Sequence, residues 1–478
     1  VNKIEKLAQQ NQEIQPRSRV NFKFWVIPVA AVTLVMSLLG LVYLGGNLNP
    51  QKNLEDFPVA VVNQDVGAEM ANEEFRNIGD ELVSQLQEQA GDQFDLHVLN
   101  TSEADNELNR GEVYGALVIP QDFTMQVNSW AINAVLSNEV AQPTLTIVDN
   151  PGAGIGAGQI MDQFGTQATD QISSTIGEQL SEQVQAVADE MDVELSGVAA
   201  ATVADPVKAD WITNGDFGDG DGFGLSAFFW ALLLVLGGFT GAAITNVLVD
   251  GRLGVLPIEA GPLFKMRRHL GISRLMTLLA KFGFVILQSM AVAGVYVWIG
   301  SSIGMTASSF ATLWFYSALM IAAVGIAAQS VNALFGNAGL VINLIFFVVL
   351  GLPSAGATLP LESVPKFFQE ISPMMPLHQI YLGTRSILFF DGQWGAGLGP
   401  AMFWALGGAV VWFIIGVIGT WLYDRWGFTR AIPGINTLPD VPVSTSIDST
   451  GDDEAVVSED NVDKDTNDDI VAAEGTEK

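Results

Sequence analysis

Residues 223–249, FGLSAFFWALLLVLGGFTGAAITNVLV, contain no charged side chain over a length sufficient to cross a lipid bilayer. A hydrocarbon core of about 30 Å takes roughly 20 apolar residues in a helix. Within it every backbone N–H and C=O must be paired inside the protein. A chain holding such a run folds around a membrane. Before the run lies a long acidic segment of soluble character. After it lie a basic stretch and several further apolar blocks.

The segregation of charge sharpens this reading. Of the 478 residues, those from 46 to 222 hold 31 Asp and Glu against Lys52, Arg76, Arg110 and Lys208. The tail from 440 onward adds 13 acids against Lys464 and Lys478, and the formal net charge is −31. An acidic surface of this kind repels a phosphate backbone, so nucleic acid is excluded as a partner. The absence of cysteine removes disulfides, thiolate metal sites and cysteine catalysis.

Five more apolar stretches accompany 223–249, at 24–44, about 275–300, about 310–334, about 338–353 and about 401–423. The first resembles a signal peptide in its basic approach (Lys3, Lys6, Arg17, Arg19, Lys23). Its core is longer than a signal core, and GGNLNPQKN offers no small-x-small cleavage site, so an uncleaved span is expected. Basic residues in short loops stay in the cytoplasm. With six spans, the N-terminal group, the loop 250–274 (Arg252, Lys265, Arg267, Arg268, Arg274) and the end of the last span (Arg425, Arg430) share one side. The pattern predicts a polytopic α-helical membrane protein with six transmembrane helices and both termini cytoplasmic. Residues 1–23 and 424–478 are then cytoplasmic, 45–222 extracellular, and 223–423 the main membrane block.

The extracellular segment reads as an α/β domain with a long helical stalk between helices 1 and 2. FPVAVVN (57–63), FDLHVL (94–99), YGALVIP (114–120) and TLTIVD (144–149) alternate like strands. Phe75, Ile78, Leu82 and Leu86 have helical spacing, and a helix over 102–110 would be capped by Ser102 and Asp105. From about 158 to 198 apolar residues recur every three or four positions. This stretch either folds back on the α/β unit or pairs between two copies, with Gly165 and Gly177 as weak points. Residues 205–222 read as a Gly/Asp-rich flexible linker, in which Asp216, Asp219 and Asp221 miss the spacing of a calcium loop. The pieces LESVPKFFQEI and LHQIYLGTRSILFF within 354–400 read as helices lying at the outer face or dipping into it. The acidic C-terminal tail from 431 reads as disordered.

Little in the chain points to chemistry. NPGAGIGAG (150–158) follows a strand and precedes a helix, but its glycines fall at every second position and do not match a dinucleotide loop, so a hinge is expected. There is no P-loop, and His97, His269 and His378 are scattered. No enzyme activity, cofactor or metal is expected. Lys281 is the one ionisable residue within a span, close enough to its end to snorkel. Asn246, Gln288, Gln329, Asn332 and Asn343 suit interhelical hydrogen bonds. Gly237, Gly238 and Gly241, and Ala401, Ala405 and Ala409, suit close helix packing within the bundle or between copies.

FPVAVVNQDVGAE (57–69), YGALVIPQDFT (114–124) and GFGLSAFFWALLLVLGG (222–238) resemble the corresponding motifs of the YhgE/Pip, or phage infection protein, family. The membrane block resembles the membrane domain of type-2 ABC exporter permeases. That likeness implies a cytoplasmic coupling helix meeting an ATPase within 250–274, and an outer re-entrant helix pair within 354–400. Two functions follow as expectations. One is a permease-like homodimer exporting a lipid-linked or amphipathic compound with a separate ATPase. The other is an envelope scaffold or receptor, such as a secretion accessory or phage receptor, acting through its outer domain. The lipid bilayer is a partner in both.

Overall fold

The computed structural model describes residues 53–69, 75–136, 141–190, 203–215, 222–261, 263–265, 267, 269–428 and 430, together with Thr33. The expected first span at 24–44, the aspartates 216, 219 and 221, and the tail beyond 430 lie outside the described residues.

Alternating β-branched residues build the first half into a five-stranded sheet. Its elements in chain order are β1 (Phe57–Asn63), α1 (Ile78–Gln89), β2 (Phe94–Val98), α2 (Thr101–Arg110), β3 (Gly115–Ile119), α3 (Phe123–Leu136), β4 (Thr144–Asp149), α4 (Ile155–Glu190) and β5 (Lys208–Thr213). The strand order is β2-β1-β3-β4-β5. Only the β3–β4 pair is antiparallel. Side chains alternate between two faces. Phe57, Val59, Leu117, Ile119, Leu145 and Ile147 meet α1, α3 and α4 on one face. Ala60, Val62 and Ala116 meet α2 on the other.

Two local expectations are corrected, and one open alternative is decided. The cap of α2 is Asn100, whose side chain accepts from the Glu103 N–H at 3.0 Å while Glu103 returns to the Asn100 N–H. The capping box therefore begins two residues before Ser102. Residues 208–213, expected in a flexible linker, form edge strand β5. The long helix α4 lies back across the sheet: Ile160, Phe164, Ala168, Ile172, Ile176 and Leu180 are all in the domain core. Gly177 lets α4 approach the backbone at Ala204, and Gly165 makes room for Trp211. Over its described side chains this helix is core, not stalk.

Among its described residues the second half holds four helices long and apolar enough to cross a membrane. They are α5 (Leu225–Arg252), α6 (Arg274–Ser302), α7 (Phe310–Phe335) and, after α8 to α10, α11 (Gly399–Arg425). The expected fifth span is shorter. Helix α8 (Asn337–Leu344) continues only through a five-residue π-turn to Val349, roughly 20 Å at 1.5 Å per residue. Helices α9 (Lys366–Ile371) and α10 (Pro376–Phe389) lie between α8 and α11. Helix α10 does not rest on a surface. Leu377, Ile380, Tyr381, Ile387 and Leu388 join the bundle core formed with α5 and α7.

Several polar groups inside the bundle are paired across helices. Gln329 donates to the Ala242 carbonyl at 2.8 Å, and Asn343 donates to the Ala328 carbonyl and to Asn332 Oδ1, both at 3.1 Å. Trp230 donates to Ser317 Oγ at 3.0 Å and Tyr316 to the Ile380 carbonyl at 2.8 Å. Helices α5 and α7 meet at Gly238, where an added Cβ would lie 2.7 Å from Val324 Cβ and 2.8 Å from the Ile321 carbonyl. At Gly241 an added Cβ would lie 2.5 Å from Gln288 Nε2, whereas at Gly237 the nearest atom is at 3.5 Å. Overpacking a filled contact costs about 1–3 kcal/mol. Gly238→Ala is therefore expected to lower the thermal midpoint in detergent clearly, and Gly237→Ala to leave it nearly unchanged.

Candidate functional site

The chain carries two polar junctions, one where the α/β domain meets the bundle and one at the opposite end of the helices. The first is built on loop 150–154, between β4 and α4. Asn150 donates through Nδ2 to the carbonyls of Leu108 and Val113, at 2.8 and 3.2 Å, and so fixes the loop to its own domain. Gly154 has a φ of 151°, a conformation open to glycine. At Gly156, the second residue of α4, an added Cβ would lie 2.1 Å from the Thr358 carbonyl. At Gly224, just before α5, it would lie 2.3 Å from the Pro151 carbonyl. These glycines bring two backbones into contact. The space a phosphate would need is filled by chain, and the expected hinge is a packed seat.

Arg385 of α10 closes this junction. Its Nη1 donates to the Ala153 carbonyl at 2.7 Å and its Nη2 to the Gly111 carbonyl at 3.3 Å. It is only 9 % exposed. Its guanidinium lies 5.8 Å from the centre of the Phe390 ring and 6.0 Å from that of Tyr381. Beside it, Tyr114 stacks on Phe57 and donates to Glu362 Oε2 at 3.0 Å. The Glu55 N–H meets the Glu362 carbonyl at 3.1 Å, and Lys366 pairs with Glu55 at 2.9 Å.

Burial between the two parts raises the Glu362 carboxyl above its usual range, against lowering contributions from hydrogen bonds and Arg385. A carboxyl raised in the folded state holds its proton where the unfolded one has lost it. Its stabilising contribution is full below the unfolded value near 4.5 and is lost as pH rises through the folded value. Between pH 4.5 and neutrality the thermal midpoint of wild type is expected to fall more steeply than that of Glu362→Gln, as read by paired melts across that range.

The second junction lies where α5 and α11 end and α6 begins. Lys281 does not snorkel. It is 3 % exposed and its Nζ lies 2.7 Å from Asp250 Oδ1, with Asn246 Oδ1 also accepting from it. Arg430 adds a contact to Asp250 at 3.2 Å. Asp250 lies one residue past the apolar run at 223–249 and four residues after Asn246, so both fall on one face of α5. That spacing is the signal by which the sequence could have placed a partner for Lys281. Asp424 of α11 caps α6, accepting from the N–H groups of Arg274 and Leu275, each at 2.9 Å. Removing one member of a buried ion pair costs about 3–5 kcal/mol. Asp250→Asn is expected to lose stability on that scale in a detergent melt, and the double variant Asp250→Leu/Lys281→Met to lose less.

The residues expected to form a coupling loop divide. Arg252 and Arg267 are exposed. Arg274 is turned inward, with Nε donating to the Phe428 carbonyl at 2.7 Å and the guanidinium 5.5 Å from the centre of the Tyr423 ring. Lys265 lies in the second strand of an antiparallel hairpin, Ile258–Ala260 with Leu263–Lys265. Arg268 is outside the described residues. A hairpin thus stands where a coupling helix was expected: the segment is short and its middle carries Gly261. Among the described residues no group of three or more His, Asp or Glu is placed to hold a metal.

An α/β domain seated on a bundle of apolar helices, with ion pairs buried at the helix ends, defines a membrane protein with a large domain outside the lipid. The chain belongs to the family described as a protein of unknown function (DUF3533), whose model matches residues 29–403. It is also similar to the uncharacterized protein YhgE of Bacillus subtilis (strain 168), with 28 % identity over 166 residues. That match covers 34 % of this chain and 20 % of the relative, so it spans about a fifth of the relative's length. The two matches bear out the resemblance to YhgE/Pip. No solved structure matches.

Proposed function

We propose that the chain is a permease-like component of the cell envelope that moves a lipid-linked or amphipathic compound outward, energised by a separate ATPase. In this reading two copies pair, the α/β domain faces outside, and the ATPase meets the basic segment 250–274. The observation that carries it is the course of α5. One unbroken helix, Leu225–Arg252, begins against the seat of the α/β domain at Gly224 and ends at Asp250 and Arg252 beside the hairpin. A displacement at either end is carried to the other by the helix itself. Purification of the intact chain in mild detergent tests this. An ATPase is expected to co-purify with wild type and to be lost from Arg267→Glu/Arg268→Glu. Absence of any ATPase, or one indifferent to the reversal, overturns the reading.

A second reading, an envelope scaffold or receptor, is favoured by one feature. Among the described residues strand β5 is a sheet edge, on which Trp211 and Ile212 are 41 % and 50 % exposed. An exposed apolar edge is a template for an added strand. Recovery of an envelope or secretion protein in the same purification, lost on Trp211→Lys, would favour it.

A further inference from the structure

An apolar groove with about 610 Å³ of empty space opens between α7, α8, α10 and α11. Phe346 and Phe347, Ile380, Ala405 and Trp412 are among its lining residues. So are Met320, Val324 and Ala327 in the middle of α7, and Ala401 and Trp404 in the first two turns of α11, so the groove runs from near the domain end of the bundle to its middle. The small side chains of α11 keep the space open, and Ala405, Gly408 and Ala409 are only half-buried there.

Gln379 of α10 supplies the one amide among the lining residues described. It is 6 % exposed. Its Nε2 donates to the Pro373 carbonyl at 3.1 Å, while its Oε1 has no hydrogen-bond partner among the described residues. A buried carbonyl without a donor is costly, and more so where no water is at hand. Gln329, outside the groove lining, also leaves its Oε1 without a partner among the described residues, whereas Gln379 lines open space. Bulk lipid does not relieve Gln379 Oε1. Acyl chains carry no donor, and a lipid's own polar groups remain at the interface.

We infer that this groove binds an amphiphile whose acyl chain lies against α8 and α11 and whose amide N–H or hydroxyl, next to that chain, donates to Gln379 Oε1. The groove and the orphan acceptor define the binding. Only the naming of this ligand as cargo rests on the export reading above. A donor held inside the bundle belongs to a molecule taken out of its interfacial position, as cargo in transit must be.

The test uses the full chain in phosphatidylcholine nanodiscs and two diazirine-tagged probes of equal chain length, an N-propyl fatty amide and the corresponding propyl ester. Only the amide has a donor. It is expected to label peptides covering 320–327, 376–380 and 401–412 about fivefold more than the ester, the scale of one buried hydrogen bond. Gln379→Leu is expected to abolish the difference, and Ala405→Trp to reduce labelling by both probes. Equal labelling of wild type by the two probes, labelling outside these peptides, or a difference that survives Gln379→Leu overturns the inference. The wild-type comparison holds even if a variant does not fold. Since the chain has no cysteine, Ala405→Cys with Ser37→Cys gives a clean cross-linking pair. A cross-link between them would put residues 24–44 in the groove and also overturn the inference. Discriminating binding without a co-purifying ATPase would sustain this inference and remove the export reading. An ATPase without discrimination would do the reverse.

Discussion

Among the bonds that join the halves of this protein, two come from one buried cation, Arg385. The guanidinium reaches from a helix packed inside the bundle to the carbonyls of Ala153 and Gly111 in the α/β domain. A cation buried this far must be compensated, and backbone carbonyls compensate it only from a fixed position. The position of the domain is thus tied to the position of α10. The glycines at 156 and 224 serve the same contact, since side chains there would hold the two backbones apart.

The opposite end obeys the same requirement with different means. There Asp250 lies between Lys281 and Arg430, and Asp424 holds the first turn of α6. The ends of α5, α6 and α11 are joined by charge, while their middles are joined by small residues and amides. Such a bundle resists separation at that end and leaves an apolar groove between α8 and α11.

Much of the architecture is legible in the residues. β1 to β4 lie where apolar residues alternate, and the long apolar helices lie where charge is absent. The sequence is less informative where the deciding partner is distant or is backbone. Arg385 bonds to carbonyls, which every residue has, so no pattern marks its acceptors. Asp250 is hidden by its place just outside the apolar run. β5, KADWIT, is short, edge-placed and flanked by Gly and Asp, so it resembles a linker until β4 pairs with it. The periodicity of α4 announces a helix but cannot say what covers its apolar stripe. The sheet covers it, because Phe57, Leu117 and Ile147 need cover on that same face.

The described part of the α/β domain touches the bundle half at several separate places: Glu55 at Glu362, Pro151 at Gly224, Gly156 at Thr358, and Ala153 and Gly111 at Arg385. A body held at several places cannot turn about any one of them without straining the others. A force on the domain is therefore handed to the helices beneath it rather than taken up at a joint.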